Sequence, residues 1–94
     1  MNKYEVLYIL KSGLEQKQYD AETQKYEAVV KDNGGEVESV NKWGTKKFAY
    51  PIDYKNEGFY TLMNFSSNAA FPAELERRMR IDENIVRFLV LAKK

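Results

Sequence analysis

Ninety-four residues, with 15 Lys and Arg against 14 Asp and Glu and a net charge of +1, make one domain, residues 1–94, with a single modest core. The chain has no cysteine and no histidine, which excludes disulfides, thiolate metal sites, the usual general base and the commonest metal ligand. The near-zero total hides an asymmetry: residues 1–40 sum to −3 and residues 41–94 to +4, so the second half is the one expected to meet a polyanion.

Tyr4 to Leu10 is aromatic and β-branched and predicts a strand. Tyr4, Val6, Tyr8 and Leu10 fall on one face, and Glu5, Leu7 and Ile9 on the other. Both faces are largely apolar, which places this strand in the middle of a sheet. The apolar run Val6–Leu10 is too short for a signal peptide or a membrane span, so a soluble, cytoplasmic protein is expected. Ser12 and Glu15 have the spacing of a capping box, in which a serine oxygen and a glutamate satisfy free amides of a first helical turn. The helix that follows carries Tyr19, Thr23, Tyr26 and Val30 at helical spacing, with Val29 beside them, and it ends at Asn33-Gly34-Gly35.

Glu36 to Ile52 is long for one strand, and Val37, Val40 and Phe48 do not share one alternation. The register must shift, and Gly44 is the natural place for a bulge. Asp53 to Gly58 predicts a polar hairpin loop, and Gly58 to Phe65 a second strand with two apolar faces. Ser66-Ser67-Asn68 offers cap residues, and Pro72 fits a first helical turn. Phe71, Leu75 and Met79 form a buried stripe four residues apart, and Arg77, Arg78 and Arg80 cluster where cations complement the helix dipole. Asp82-Glu83-Asn84 reads as a solvated turn, the two acids having no basic or nucleophilic partner nearby in sequence. Ile85 to Leu91 is the last strand, with Phe88 and Val90 on one face and Arg87, Leu89 and Leu91 on the other.

The order β-α-β-β-α-β predicts an α+β, ferredoxin-like fold: a four-stranded antiparallel sheet in the order 4-1-3-2 with both helices on one face. The two-sided apolar strands then occupy the centre. The other face carries Leu7, Ile9, Leu89 and Leu91 with Arg87. No element of the chain remains to cover it, so these four apolar residues are the candidate partner-binding set.

Fold alone does not fix function. An acylphosphatase-like site needs a glycine-rich loop with an arginine after the first strand, whereas this loop is Lys11-Ser12-Gly13-Leu14. An RNA-recognition motif needs a basic-Gly-aromatic-small-aromatic run. Here Glu57-Gly58-Phe59-Tyr60-Thr61-Leu62 puts an acid where the cation belongs and leucine where the second ring belongs, and Phe59 and Tyr60 are expected to pack. No enzyme, metal site or cofactor is expected. What remains is the second strand, where Lys46 and Lys47 lie near Lys42, Trp43 and Tyr50. Cations interleaved with aromatics suit RNA, and lysines on an edge strand also protect against aggregation. A regulatory domain of this fold that binds a small molecule is the alternative from another class.

Gly44-Thr45-Lys46-Lys47-Phe48-Ala49-Tyr50-Pro51-Ile52 resembles the signature of the bacterial small-subunit ribosomal protein S6 family. That signature runs glycine, any residue, one or two basic or polar residues, leucine, alanine or serine, tyrosine, any residue, isoleucine. Tyr4-Glu5-Val6, Glu57-Gly58-Phe59-Tyr60 and Arg80-Ile81-Asp82-Glu83-Asn84-Ile85-Val86-Arg87 resemble further segments of the family in the right order. Phe48 departs from the usual leucine, and Asp53 stands where a basic or small polar residue is common. The resemblance implies a non-catalytic protein of the cytoplasmic ribosome. It would bind small-subunit (16S) rRNA together with ribosomal protein S18 during assembly of the central domain, with no membrane and no small-molecule substrate involved. Charge then points to Lys46 and Lys47 for phosphates, and to Tyr50, Arg87, Lys42 and Lys3 as further RNA contacts.

Overall fold

The computed structural model describes the backbone of residues 1–52 and 55–93 and the side chains of residues 1–45 and 58–93. The elements follow the expected order: β1 (Asn2–Lys11), α1 (Gln16–Asp32), β2 (Glu36–Ile52), β3 (Lys55–Ser67), α2 (Phe71–Arg80) and β4 (Ile85–Lys93). The sheet runs β2-β3-β1-β4, with every pair antiparallel, so β1 and β3 are central and β2 and β4 are edges.

Tyr4, Val6, Tyr8 and Leu10 of β1 meet Phe59, Met63 and Phe65 of β3 on one face of the sheet, and both helices lie on that face. α1 contributes Tyr19, Tyr26, Val29 and Val30, and α2 contributes Phe71, Leu75 and Met79, which are the predicted stripes. The core is dense in rings. Tyr19 stacks on Phe59 with centroids 4.1 Å apart, and Phe65 takes Tyr4 at 5.6 Å and the edge of Phe71 at 5.8 Å. Such pairs add about 0.5–1.5 kcal/mol each beyond the area they bury.

α1 starts later than the serine suggests. Ser12 and Gly13 form a turn, so the chain is still extended at Glu15 (φ −74°, ψ 156°). Glu15 is the cap residue, and its amide donates to Gln18 Oε1 at 2.9 Å. The capping pair is therefore Glu15 and Gln18 instead of Ser12 and Glu15. At the other end the Gly34 amide donates to the Lys31 carbonyl (3.1 Å) and the Gly35 amide to the Val30 carbonyl (2.9 Å). This is a Schellman stop, with Gly34 in the left-handed region at φ +81°. Gly35 is required for space: a Cβ there would lie 2.6 Å from the Ser66 carbonyl oxygen. Asn68 caps α2, its Oδ1 accepting from the amides of Ala70 (3.1 Å) and Phe71 (3.0 Å).

β2 shifts register at Gly44 as expected. Lys42 pairs with Thr61 and Gly44 with Tyr60, leaving Trp43 as the extra residue. Gly44 has φ +86°, and a Cβ would meet nothing within 4 Å, so backbone conformation and not space requires glycine. A second shift between Val37 and Ser39 has no glycine to announce it. The hairpin is also longer than expected. β3 begins at Lys55, with Ile52 opposite Lys55 and Lys47 opposite Glu57, so much of the predicted 53–58 loop belongs to the strand; Asp53 and Tyr54 lie outside the described residues.

Candidate functional site

The helix-free face is read directly from the register. One row across the sheet is Arg87, Ile9, Tyr60 and the bulge at Gly44; the next is Leu89, Leu7, Leu62 and Asn41; the third is Leu91, Glu5, Asn64 and Ser39. Leu89 and Leu91 are 54% and 47% exposed, Trp43 is 46% exposed, and Leu7 and Leu62 are half-buried. A band of leucine crosses the sheet from its β4 edge, and Trp43 stacks on Tyr60 beside it, centroids 6.3 Å apart and planes within 11°. The extra residue of the bulge is what turns the indole onto this face. Tyr60 was expected, like Phe59, to pack; it stands one residue further on and so does its packing on the opposite face, against Trp43.

The third row turns polar. Asn64 donates to Ser39 Oγ (3.0 Å) and accepts from Lys93 Nζ (2.9 Å), which closes the leucine band on one side.

The residues expected to form the site do not all share this face. Leu7, Leu89, Leu91 and Arg87 do. Ile9 shares it but is only 6% exposed, flanked in its row by Tyr60 and Arg87, and so offers a partner little surface. Lys3 is on the same face at the far end of β1, about 20 Å from the Ile9 row, and its Nζ lies 3.5 Å from Glu38. Lys42 pairs with Thr61, whose side chain is buried on the helical side, and its ammonium donates to Asp20 of α1. That contact holds the Asp20 carboxyl below its ordinary range, with help from Gln16. Lys42 thus ties the β2 edge to α1 instead of joining the leucine face. Lys46 and Lys47 stand opposite Gly58 and Glu57 in the hairpin arm; their side chains, and that of Tyr50, lie outside the described residues.

The arginine cluster divides in two. Arg77 clamps Glu74 through Nε (2.7 Å) and Nη2 (2.9 Å), and Arg78 adds a third bond at 2.9 Å. The hydrogen bonds of Arg77, then of Arg78, pull the half-buried Glu74 carboxyl down to about 2. Arg80 and Arg87 have no carboxylate partner among the described residues. They border an open cavity of about 310 Å³ between the end of α2 and β4, floored by Met79, Ile85 and Phe88. Arg80 was grouped in sequence with its neighbours as a dipole-complementing cation. Helical spacing offers no signal that separates it, because Glu76 precedes Arg80 by the same four residues that Glu74 precedes Arg78. Only the second of these pairs is closed in the structure.

One expectation is overturned outright. Asp82 is not a solvated turn residue. Its side chain is 5% exposed; it accepts from the Tyr26 hydroxyl at 2.6 Å, from Lys25 Nζ at 3.1 Å and from the Asn84 amide at 2.9 Å. Two of these partners come from α1, more than fifty residues away, which no local reading could have paired with it.

Among the described residues no cluster of three or more potential ligands could hold a metal ion, and no helix is long and apolar enough to cross a membrane. Residues 3–92 match the family model of ribosomal protein S6. The chain is 46% identical over 92 residues to small ribosomal subunit protein bS6 of Clostridium acetobutylicum, covering 98% of this chain and 97% of that one. It is 45% identical over 91 residues to bS6 of Clostridium novyi, covering 97% and 96%. Its fold superposes on the crystal structure of 30S ribosomal protein S6 from Thermotoga maritima with a TM-score of 0.93 at 25% identity, over 98% of this chain and 87% of that one. The β2-β3-β1-β4 sheet and the near end-to-end matches lead to one conclusion: the chain belongs to the ribosomal protein S6 family, whose members are structural and not enzymatic.

Proposed function

We propose that this protein is a structural constituent of the small ribosomal subunit in the bacterial cytoplasm, binding small-subunit rRNA together with ribosomal protein S18 during assembly of the central domain. The observation that carries the reading is the helix-free face, where Leu89 and Leu91 stand exposed at the β4 edge and Trp43 stands exposed on β2 near the foot of the lysine-bearing hairpin arm. Apolar surface of this kind suits a protein partner. Lys46 and Lys47 suit phosphates, and Arg80 and Arg87 are cations that no carboxylate among the described residues neutralises. A net charge of +1 is too small for strong RNA binding by the chain alone, so the partner is expected to share the phosphate contacts.

The test is filter binding to a central-domain rRNA fragment with S18 present. Lys46→Glu combined with Lys47→Glu should weaken binding and reduce the log–log salt slope by about 1 for each phosphate that a lysine no longer neutralises. The thermal midpoint of the free protein should stay unchanged. Unchanged affinity and slope would remove these lysines from the interface. Tight binding by the isolated chain would point to an independent RNA-binding module.

A further inference from the structure

We propose that Glu22 of α1 and Asp82 of the α2–β4 turn share one proton and thereby form a proton-dependent latch that fastens α1 to the start of β4.

The geometry begins with two carboxyl groups that are mostly out of solvent, their side chains 12% and 5% exposed. Asp82 is fully supplied with donors: the Tyr26 hydroxyl and Lys25 Nζ on Oδ2, and the Asn84 amide on Oδ1. Glu22 is not. Its Oε1 has the Asn84 side-chain amide at 3.4 Å and Lys25 Nζ at 4.0 Å, and its Oε2 is buried with no donor. A buried carboxylate oxygen without a donor is costly. A carboxylic acid in the same place is not, because its O–H can donate to Asp82, which draws on the same two residues as Glu22: Lys25 Nζ lies 3.1 Å from Asp82 and 4.0 Å from Glu22, and Asn84 donates to both. The groups facing the pair are Lys25 and Tyr26 from α1, Tyr8 from β1 and Asn84 from the turn. They include one cation, which suits a pair carrying one negative charge.

The electrostatics of the site agree. Burial, then the hydrogen bond and charge of Asp82, push Glu22 up to about 7. Burial also works to raise Asp82, but the hydrogen bonds from Glu22, Tyr26, Asn84 and Lys25 prevail and hold it at about 2. Because the folded Glu22 keeps its proton above the ordinary glutamate range, the folded state binds more protons than the unfolded one between about pH 4.5 and 7. Stability therefore falls as pH rises through that window and levels above it. The Asp82 contribution has the opposite sense: present above its ordinary value and lost as pH falls toward 2.

The latch has a position that matters for the rest of the molecule. The Ile85 amide donates to the Asp82 carbonyl at 3.2 Å, and Ile85 opens the strand that carries Arg87, Leu89 and Leu91. Releasing the proton loosens the root of that strand.

The experiment is urea unfolding of the wild-type protein and Glu22→Gln between pH 5 and 8.5, with a carboxyl-carbon NMR titration of the folded wild type. The wild-type folding constant should drop by roughly ten- to a hundredfold across the range, since a carboxyl pKa raised by one on folding corresponds to a factor of about ten. Glu22→Gln, which keeps a neutral donor, should remove most of that slope. The Glu22 resonance should titrate near neutrality, and protection of the Asn84 and Ile85 amides should fall with it. Equal slopes in the two proteins, or a Glu22 midpoint below 5, would overturn the proposal; the NMR midpoint decides the matter even if the variant fails to fold.

Discussion

Leu75 and Leu89 are the same side chain on opposite sides of one sheet. Leu75, on the inner side of α2, packs onto the sheet with no exposed surface, while Leu89 is 54% exposed. The helical face is closed by two amphipathic helices and filled with stacked rings; the other face has a band of leucine and none of the described elements above it. The difference teaches that apolar content does not by itself measure what a strand does for the fold. Burial against α1 and α2 converts the β1 residues Tyr4, Val6, Tyr8 and Leu10 into stability. The leucines on the reverse stay unfavourably exposed to water until something else covers them.

Truncating the two leucines is the most direct way to break that contrast. Leu75→Ala should cost about 2–5 kcal/mol, since it leaves a cavity that packed neighbours cannot close. Leu89→Ala should stay within about 0.5 kcal/mol of the wild type. Urea unfolding of both variants checks it, and similar losses would mean that the free face is covered in solution. A smaller effect is expected at the β2 bulge. Gly44→Ala forces an L-residue to φ +86°, at a cost of about 1–2 kcal/mol. Because Trp43 is the only tryptophan, its emission reports the same change through the disturbed stack on Tyr60. A loss of stability with unaltered emission would separate the bulge from the placement of the indole.

Much of this division was legible in the sequence. The stripes Tyr19-Thr23-Tyr26-Val30 and Phe71-Leu75-Met79 have one helical period each, and the two-sided strands Tyr4–Leu10 and Gly58–Phe65 could only be central. The Gly44 bulge followed from a broken alternation with a glycine in it. What escaped was whatever depends on partners distant in the chain. The Asp82 carboxylate looked solvated because Tyr26 and Lys25 are far away in sequence. Lys42 looked available for phosphate because Asp20, which binds it, lies on another element. The capping box moved because a Ser-x-x-Glu pattern says nothing about the Ser12-Gly13 turn that displaces it. Ile9 had the right parity for the free face, but parity cannot tell that Tyr60 and Arg87 stand on either side of it.

The smallest expected effect on stability is the one that bears most on function. Leu89→Asp with Leu91→Asp replaces the two most exposed leucines on the helix-free face without removing a core contact. Both positions are on the outward side of an edge strand whose inward residues, Phe88 and Val90, are untouched. Unfolding midpoints should therefore change by no more than the roughly 0.5 kcal/mol usual for surface substitutions. Under the proposed role, in which S18 is the partner and covers this face, association behaves differently. Covering the leucine band removes apolar area from water, and a carboxylate placed there must be desolvated without a counter-ion when the partner arrives, a cost of several kcal/mol. Co-sedimentation with S18 should accordingly show affinity reduced by about tenfold or more, since each 1.4 kcal/mol is about a factor of ten, and rRNA binding that depends on S18 should fall with it. If S18 still binds while the fold is intact, the leucine band is not its seat, and the partner must instead meet the chain along the β2 edge or the hairpin arm.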